Sequence, residues 1–419
     1  MRGLTFALVG FGTVGRAVAR LVLSTHATLH LTHIFNRDVE RKRVDWVPGD
    51  VQWTADIDDV LTSPADAIVE VIGGLEPAGA WVTRALEAGK AVVTANKQLL
   101  AHHGSDLLRL AAARNRALRF EAAVCGGLPV VRAIGEGLAG DRLARIAGVL
   151  NGTSNYILTR MESAGIGLDE ALQEAQELGY AEADPTDDLD GHDARAKLCV
   201  LSRIGLQQAI TPDQVACATI RGVTSHDFAT ARRLGCTIRQ VAEAEQDVNA
   251  RVVRCRVGPA LVPLDSAFSR VVGTQNVLQV TGEFSGETAM KGLGAGGDAT
   301  AVAVVSDLLA VAEDRGAGPA ARYAAVDAPL ATTDRLPGPW FLRFTIRDRV
   351  GVVADVAHVL AVHAIDIEAV HHEPAGTSAG IPLAITIAPC DPHMLERALV
   401  EIALLDFHVG PPLAVPIMR

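Results

Sequence analysis

The sequence predicts an α/β protein built from three successive parts. Short apolar runs alternate with amphipathic segments over residues 1–130, which is typical of a parallel sheet covered by helices. Helical patterns precede strand patterns over residues 131–299, which indicates an α+β domain. Residues 340–419 follow a βαββαβ order, the pattern of a ferredoxin-like unit. The length of 419 residues agrees with this division, because a domain averages about 150 residues.

The N-terminal part contains apolar runs that are bounded by Gly, Asp or Asn. Continuous runs of this kind predict strands that are buried on both faces of a parallel sheet. The predicted strands are Leu4–Val9, His30–Phe35, Ala67–Val71 and Ala91–Val93, with Leu118–Phe120 as a further candidate, and the helices between them include Arg16–Leu23 and Ala78–Ala88.

The two later parts are separated by a Pro/Gly-rich linker at residues 334–339. In the middle part we predict helices at Leu168–Leu178, His192–Ile204 and Pro212–Ala218, and strands at Val248–Val257, Val277–Thr281 and Thr288–Lys291. A long apolar helix, Ala299–Arg315, follows, and we expect residues 300–325 to pack back on the first domain. In the C-terminal part we predict strands at Phe341–Ile346, Ile365–His371, Pro382–Ala388 and Val409–Pro416, and helices at Val353–His363 and His393–Leu404.

Composition excludes several classes of partner. The formal net charge of −11 argues against a surface that binds the phosphate backbone of nucleic acids. The six cysteines are scattered without a C-x-x-C pair, which is typical of reduced thiols in the cytoplasm rather than of a zinc site. The apolar run Leu4–Val9 is too short for a signal peptide, and no stretch reaches the ~18 apolar residues of a membrane span. We therefore expect a soluble cytoplasmic protein.

A glycine-rich turn follows the first predicted strand and opens the first predicted helix. Its residues are Gly10, Phe11, Gly12, Thr13, Val14 and Gly15. In this context the G-x-G-x-x-G pattern predicts a Rossmann-type dinucleotide-binding domain, because the glycines let a pyrophosphate approach the helix N-terminus. The alternative is a simple glycine-rich turn between a strand and a helix.

Four further candidate residues follow the carboxyl ends of three predicted parallel strands, where open α/β sheets bind ligands. Arg37 follows the second strand, where an acidic residue would bind the ribose of NAD, so NADP is favoured, although the neighbouring Asp38 keeps NAD open. Gly73 follows the third strand, and Thr94 and Lys97 follow the fourth. Lys97 is a candidate contact to cofactor or substrate, or alternatively an exposed residue that starts a helix.

The densest polar segment extends from Tyr180 to Lys197. Asp193 and Lys197 are four residues apart in a predicted helix, so both side chains lie on one face. A lysine held beside carboxylates at the edge of an apolar core could protonate an alkoxide as hydride arrives, and the carboxylates could hold a substrate ammonium. The alternative is a solvated acidic loop in which Asp190 is a plain helix N-cap.

These segments together resemble the homoserine dehydrogenase family. The resemblance rests on the glycine motif, Thr94–Lys97, Asn151–Leu158, Gly179–Leu198 and Gly292–Thr300, and it extends through residues 1–320. It implies an enzyme that reduces L-aspartate 4-semialdehyde to L-homoserine with NADP or NAD, in threonine, methionine and isoleucine biosynthesis. It also implies that the middle part, residues 131–299, carries substrate binding, catalysis and dimerisation in a homodimer or homotetramer.

The resemblance further implies roles for particular residues. Lys197 would donate or accept the proton, and Lys97 would be a second functional lysine that contacts cofactor and substrate. Glu182, Asp188 and Asp193 would bind the substrate, and Gly179 and Gly296 would approach the cofactor. A structural monovalent cation such as sodium would be held by Glu121, Val124, Gly126 and Leu128.

The C-terminal unit resembles an ACT regulatory domain. Arg347–Val352 follows its first strand as the D-R-P-G-V loop of that family does, with Val350 where proline is common. The resemblance implies a threonine effector that feeds back on the enzyme. Whether this copy still senses an amino acid is left open by the sequence.

Three other functions compete with this interpretation. Another Rossmann–ACT dehydrogenase would lack the acidic segment from Gly179 to Lys197. An aspartate-semialdehyde dehydrogenase would need a nucleophilic cysteine, for which Cys125 is the candidate. A catalytically silent amino-acid sensor would not need Lys97, Asp193 and Lys197.

Overall fold

The structure is a computed structural model, and it describes residues 3–313, 320–324, 326, 330–334, 336–347, 349–372 and 380–418. The strands are β1 (Leu4–Val9), β2 (Leu29–Phe35), β3 (Gln52–Thr54), β4 (Ala67–Glu70), β5 (Ala91–Thr94), β6 (Leu118–Arg119), β7 (Leu143–Val149), β8 (Ala216–Cys217), β9 (Cys236–Asp247), β10 (Val252–Pro263), β11 (Gln275–Gly282), β12 (Gly286–Leu293), β13 (Ala331–Thr333), β14 (Gly338–Ile346), β15 (Ile367–His372), β16 (Ile381–Cys390) and β17 (Leu413–Pro416).

The helices are α1 (Thr13–Thr25), α2 (Val39–Lys42), α3 (Ile57–Thr62), α4 (Ala78–Glu87), α5 (Lys97–Ala113), α6 (Val130–Arg132), α7 (Gly152–Ala164), α8 (Leu168–Glu177), α9 (Thr186–Leu189), α10 (His192–Gly205), α11 (Ser225–Arg233), α12 (Gly297–Glu313), α13 (Ala320–Ala324), α14 (Val352–Val362) and α15 (Pro392–Ala403). Short 3-10 turns at Glu121–Ala123 and Pro212–Gln214 and a π-helical turn at Ala133–Gly137 complete the helical elements described. No helix among the described residues is long and apolar enough to cross a lipid bilayer.

The chain divides into two compact units, of which the first contains residues 1–150, 193–214 and 274–330. Its parallel sheet has the strand order β3-β2-β1-β4-β5-β6, the order of a dinucleotide-binding fold. The α/β prediction for the N-terminal part is therefore confirmed, and the strand Leu4–Val9 has the predicted bounds. Gly10, Gly73 and Lys97 follow the carboxyl ends of β1, β4 and β5. They therefore lie at the edge of the sheet where folds of this kind bind ligands.

Two later segments complete the first unit. Strands β7, β11 and β12 form an antiparallel ladder in which β11 is central. Helix α12 packs into the core of the parallel sheet, where Val304 and Leu308 join Phe6 and Val18 in one buried cluster. Helix α10 carries a nearly continuous buried run from Ala196 to Ile204, which holds the polar residues at its N-terminal end in place.

The second unit contains residues 151–192, 215–273 and 331–419. Its long antiparallel pair joins β9 and β10 from Cys236↔Pro263 to Asp247↔Val252, and β8 and β13 both pair with β10. The prediction of a helix at Pro212–Ala218 was wrong. Beyond the 3-10 turn at Pro212, Ala216 and Cys217 pair with β10, so tertiary pairing overrides the local helical pattern.

Strand β9 was not predicted, and the predicted strand Val248–Val257 began in the β9–β10 turn. The polar residues of β9 explain the miss, since a fully buried strand is expected to be apolar. Arg239 and Glu243 are 2% and 5% exposed, because Arg239 is paired with Glu162 and Glu243 with Arg256 inside this unit.

The C-terminal segment forms a four-stranded antiparallel sheet in the order β15-β16-β14-β17, with α14 and α15 packed against it. This is the predicted βαββαβ order. The sheet is joined to the rest of the second unit by shared core residues, including Phe341 and Val415. Arg343 on β14 also forms a buried ion pair with Asp227 on α11, with Nε and Oδ1 3.0 Å apart.

Candidate active site

The glycine-rich turn leaves room for a ligand at the start of α1. A Cβ on Gly10 would lie 2.9 Å from Ile72 Cγ2, and one on Gly15 would lie 2.1 Å from the Gly10 carbonyl oxygen. These two glycines therefore permit the tight turn and the close packing of α1 on the sheet. A Cβ on Gly12 would meet nothing within 4 Å. The open space at Gly12 and the free N-terminus of α1 are what a pyrophosphate requires, so these residues fit a dinucleotide.

The cleft beside this turn has a volume of about 500 Å³ and is lined by the predicted residues Gly10, Phe11, Gly12, Arg37 and Gly73. Thr13, Val14 and Gly15 belong to the first turn of α1.

Three cations line one end of the cleft, namely Arg37, Arg41 and Lys42. The carboxylate of Asp38, which also lines the cleft, accepts a hydrogen bond from the backbone N–H of Arg41 at 3.3 Å and so caps α2. This end of the cleft is therefore suited to an anionic group.

The Asp193 carboxylate is shared by two lysines. Lys97 at the start of α5 places Nζ 2.9 Å from Asp193 Oδ1, and Lys197 on α10 places Nζ 2.7 Å from Oδ2. The predicted approach of Asp193 and Lys197 on one helix face is thus present, as an i,i+4 ion pair. The Lys97 side chain is 34% exposed, whereas that of Lys197 is 10% exposed. The side chain of Lys97 is therefore partly exposed to solvent, whereas that of Lys197 is enclosed.

A second acceptor fixes the enclosed lysine. Lys197 Nζ donates to the Leu150 carbonyl oxygen at 2.7 Å, and Asn276 Nδ2 donates to the same oxygen at 2.9 Å. Among the described residues, Asp193 and the Leu150 carbonyl thus engage two of the three N–H groups of Lys197. Cys125 interacts with Asn276 and Lys197 in this region, but burial raises the pKa of its thiol to about 11. A group with that pKa is a poor nucleophile, which argues against an aspartate-semialdehyde dehydrogenase.

The predicted residues Asp188, Glu182 and Gly179 lie in the second unit. Asp188 Oδ1 accepts a hydrogen bond from Asn151 Nδ2 at 2.6 Å, and Gln240 Nε2 donates to the Asp188 carbonyl at 2.9 Å. The side chain of Asp188 is half-buried, whereas Glu182 is exposed. Gly179 has a φ of +73° just after α8, the conformation that commonly ends a helix.

The predicted cation loop lies in the first unit. Glu121 is 2% exposed, and its carboxylate accepts hydrogen bonds from the backbone N–H groups of Val131 and Arg132 at 2.8 and 3.0 Å. Burial, and then the charge of Asp307, raises the pKa of Glu121 to about 7. A carboxylate and backbone carbonyls are hard oxygen donors, the donor type that a hard cation prefers. No cluster of three metal-binding side chains occurs in the described part of the chain.

The predicted cation loop contacts the loop that precedes α12. Gly126 has a φ of +40°, and a Cβ there would lie 2.9 Å from the Gly294 carbonyl oxygen. The loop containing Gly294 and Gly296 then leads into α12, where a Cβ on Gly297 would lie 3.0 Å from Thr13 Cγ2. Gly296 therefore lies next to the start of α1, beside the glycine-rich turn. The other predicted cation-loop positions, Val124 and Leu128, are buried.

Two family models match most of the chain. The model described as homoserine dehydrogenase matches residues 129–309, and the model described as the homoserine dehydrogenase NAD binding domain matches residues 10–121. This chain belongs to the homoserine dehydrogenase family. It is therefore an NAD(P)-dependent oxidoreductase that acts on a CH–OH group.

Individual homoserine dehydrogenases are similar over most of their length. The Mycobacterium leprae enzyme is 37% identical, with 97% of this chain and 96% of the relative covered. The crystal structure of a homoserine dehydrogenase from Thiobacillus denitrificans has a TM-score of 0.91 at 32% identity and covers both chains completely. A hyperthermophilic archaeal homoserine dehydrogenase in complex with NADPH has a TM-score of 0.64 at 28% identity, with 74% of this chain and 98% of that chain covered.

Sequence reasoning missed three groups that shape this homoserine dehydrogenase site. The Leu150 carbonyl and Asn276 are 47 and 126 residues from their partners Lys197 and Leu150, so no local pattern indicates them. Glu70 did carry a signal, because it is a charged residue that ends an otherwise apolar strand, Ala67–Glu70.

Proposed function

We propose that the enzyme reduces L-aspartate 4-semialdehyde to L-homoserine with NADPH or NADH, in threonine, methionine and isoleucine biosynthesis. The observation that carries the proposal is the shared carboxylate of Asp193, which holds Lys97 and Lys197 together at the edge of a buried helix. We further propose a cytoplasmic enzyme that assembles as a homodimer or homotetramer, and sedimentation as a monomer would contradict that assembly.

Bound NAD(P)H would supply the hydride to the aldehyde carbon. Lys197 would donate a proton from Nζ to the aldehyde oxygen, so that the C=O bond becomes the C–OH group of the product. In the reverse direction, neutral Lys197 would take the hydroxyl proton. Asp193 and the Leu150 carbonyl orient Lys197 for this transfer, and they leave one N–H for the substrate oxygen.

The carboxylates of Glu182, Asp188 and Asp193 would bind the substrate ammonium, and Lys97 would contact both substrate and cofactor. Charge supports this assignment, because an ammonium requires negative oxygen acceptors. Asp188 is held by Asn151, which caps α7 at the same time by accepting from the Ser154 N–H at 2.7 Å. Gly10–Gly15, Gly73, Thr94, Gly179 and Gly296 would contact the cofactor.

We expect both Lys197→Ala and Lys197→Arg to lower kcat by about 10²–10⁴-fold, since arginine keeps the charge but does not release a proton at neutral pH. Steady-state oxidation of NADPH with aspartate semialdehyde measures the loss. The exposed Lys291→Ala provides the control and should keep wild-type kcat. Near-wild-type turnover of Lys197→Arg would show that the lysine supplies only charge.

We propose that the enzyme prefers NADPH, because Arg37 and two further cations line the cleft while Asp38 caps α2. Arg37→Ala should raise the KM for NADPH by about 10- to 100-fold, the value of a charge-assisted contact, and change the KM for NADH little. Arg43 lies outside the cleft lining, so Arg43→Ala is the matched control. Equal changes for the two cofactors would mean that Arg37 does not contact the 2′-phosphate.

We propose that Glu121, with the carbonyls of Val124, Gly126 and Leu128, holds a monovalent cation such as sodium. A cation bound only by the folded state raises its stability by mass action. Replacing choline chloride by sodium chloride at constant ionic strength should therefore raise Tm by a few degrees in the wild type, but not in Glu121→Gln. The same Tm in both salts for the wild-type enzyme would exclude the site.

We propose that the C-terminal βαββαβ unit is an ACT domain through which threonine inhibits the enzyme. Its β14–α14 loop contains Gly351, which has a φ of +93° and precedes α14 without a side-chain cap; Asp348 of the same loop lies outside the described residues. Regulation requires threonine to bind two states of the enzyme differently. Millimolar threonine should lower the initial rate while serine does not. An unchanged rate at every threonine concentration would refute the regulatory role.

A further inference from the structure

Glu70 is a buried acid at the carboxyl end of β4. It is 1% exposed, and its Oε1 accepts hydrogen bonds from the backbone N–H groups of Ile72 and Gly73 at 2.9 and 3.1 Å. These two residues line the dinucleotide cleft. One oxygen of Glu70 therefore holds the loop that follows its own strand.

The other oxygen of Glu70 holds the neighbouring loop. Oε2 accepts from Thr94 Oγ1 at 2.5 Å, and Thr94 Oγ1 in turn accepts from the Asn96 N–H at 3.0 Å. Asn96 closes a ring, because its Nδ2 donates to the Gly74 carbonyl at 2.6 Å. Thr94 and Asn96 are 0% and 4% exposed, so water does not compete for these bonds.

This hydrogen-bonded ring lies next to the first residue of α5. Asn96 Oδ1 caps that helix by accepting from the Leu99 N–H at 3.0 Å, and the next residue after Asn96 is Lys97. Lys97 is the solvent-open lysine of the pair that shares Asp193. The backbone position of Lys97 thus depends on a carboxylate that touches neither Lys97 nor the cleft itself.

We propose that Glu70 is a positioning residue: it ties the cofactor loop at Ile72–Gly74 to the loop at Thr94–Asn96 and so sets Lys97 against Asp193. The inference rests on the proposed role of Lys97 in the reaction. A displacement of about 1 Å in a reacting group can lower the rate about 100-fold. The carboxylate therefore acts on turnover through geometry rather than through contact with the substrate.

Glu70 accepts hydrogen bonds on two sides: from the backbone of Ile72 and Gly73, and from Thr94, which is bonded to Asn96 and with it forms the Thr94–Asn96 arm. Glu70→Gln affects these two sides differently. The amide oxygen still accepts from Ile72 and Gly73, but the amide NH₂ now faces Thr94 Oγ1, which already accepts from Asn96. The hydroxyl proton of Thr94 loses its acceptor in a buried site, and the charge-assisted bond is replaced by a weaker neutral bond to the second lone pair of Oγ1, so the Thr94–Asn96 arm is weakened. Thr94→Val breaks the same arm from its other side. Because both changes break one network, their effects should not add.

The experiment measures kcat, the Kd of NADPH by fluorescence titration, and amide hydrogen exchange for these two variants and the double variant. Asp66→Asn is the matched control, because Asp66, near the opposite end of β4, also accepts from a backbone N–H and a threonine hydroxyl, both of Thr5. Lys97→Ala is measured in parallel. Thermal melting of each variant confirms that it folds.

We expect Glu70→Gln to lower kcat about 10- to 100-fold with the Kd of NADPH within about threefold of wild type. Exchange should increase at Asn96 and Leu99 but not at Gly73. The double variant should be no more than about threefold slower than Thr94→Val. Asp66→Asn should match the wild type. If Glu70→Gln does not fold, Thr94→Val must still increase exchange at Asn96 and Leu99.

Several results overturn the proposal. Wild-type kcat in Glu70→Gln, multiplicative losses in the double variant, or unchanged exchange at Asn96 and Leu99 would each make Glu70 a merely structural acid. A rise in the Kd of NADPH as large as the fall in kcat would assign Glu70 to cofactor binding instead. If Lys97→Ala turns over like the wild type, the proposed role of Lys97 fails first, and the positioning role of Glu70 fails with it.

Discussion

The Asp193 carboxylate is the interaction on which the rest of the active site depends. Two ammonium groups lie within 2.9 Å of it, and one of them, Lys197, is almost fully enclosed. An enclosed charge is costly unless it is paired and hydrogen-bonded, and two lysines without the shared anion would repel each other. Asp193 therefore links the start of α5 to the start of α10, and the Leu150 carbonyl supplies a second hydrogen bond to Lys197. These two bonds compensate the burial of the Lys197 charge, and they orient Nζ for the proposed proton transfer.

The presence of lysine at positions 97 and 197 is informative, because most basic residues of this chain are arginines. Only five of its 38 basic residues are lysines, and two of the five share Asp193. An arginine would pair with the carboxylate at least as well, because its planar fork matches two oxygens. It would not release a proton at neutral pH, whereas an amine can. The residue type at Lys197 therefore supports the proposed proton transfer, which ion pairing alone would not require.

Local patterns made much of this site predictable. The glycine-rich turn and the four-residue spacing of Asp193 and Lys197 are properties of one turn and one helix, and both are present in the structure. The supporting groups were not predictable, since Asn276 and Lys197 both donate to the Leu150 carbonyl from elements that are distant in the sequence. Strand β9 was missed for a related reason. Its charged residues are of the kind expected on an exposed surface, but they are buried because their ion-pair partners lie on other elements of the same unit.

The C-terminal sheet illustrates how a linker in the sequence differs from a boundary in the structure. Residues 334–339 have the composition of a linker, yet Arg343 beyond them inserts between Asp227 and the Gly222 carbonyl of the preceding segment. Removing one partner of a buried pair leaves an uncompensated charge at a cost of about 3–5 kcal/mol. Deleting the sheet would remove Arg343 and with it the ion-pair partner of Asp227 on α11. Arg343 therefore couples the position of β14 to that of α11, and the same contact contributes to the stability of the second unit.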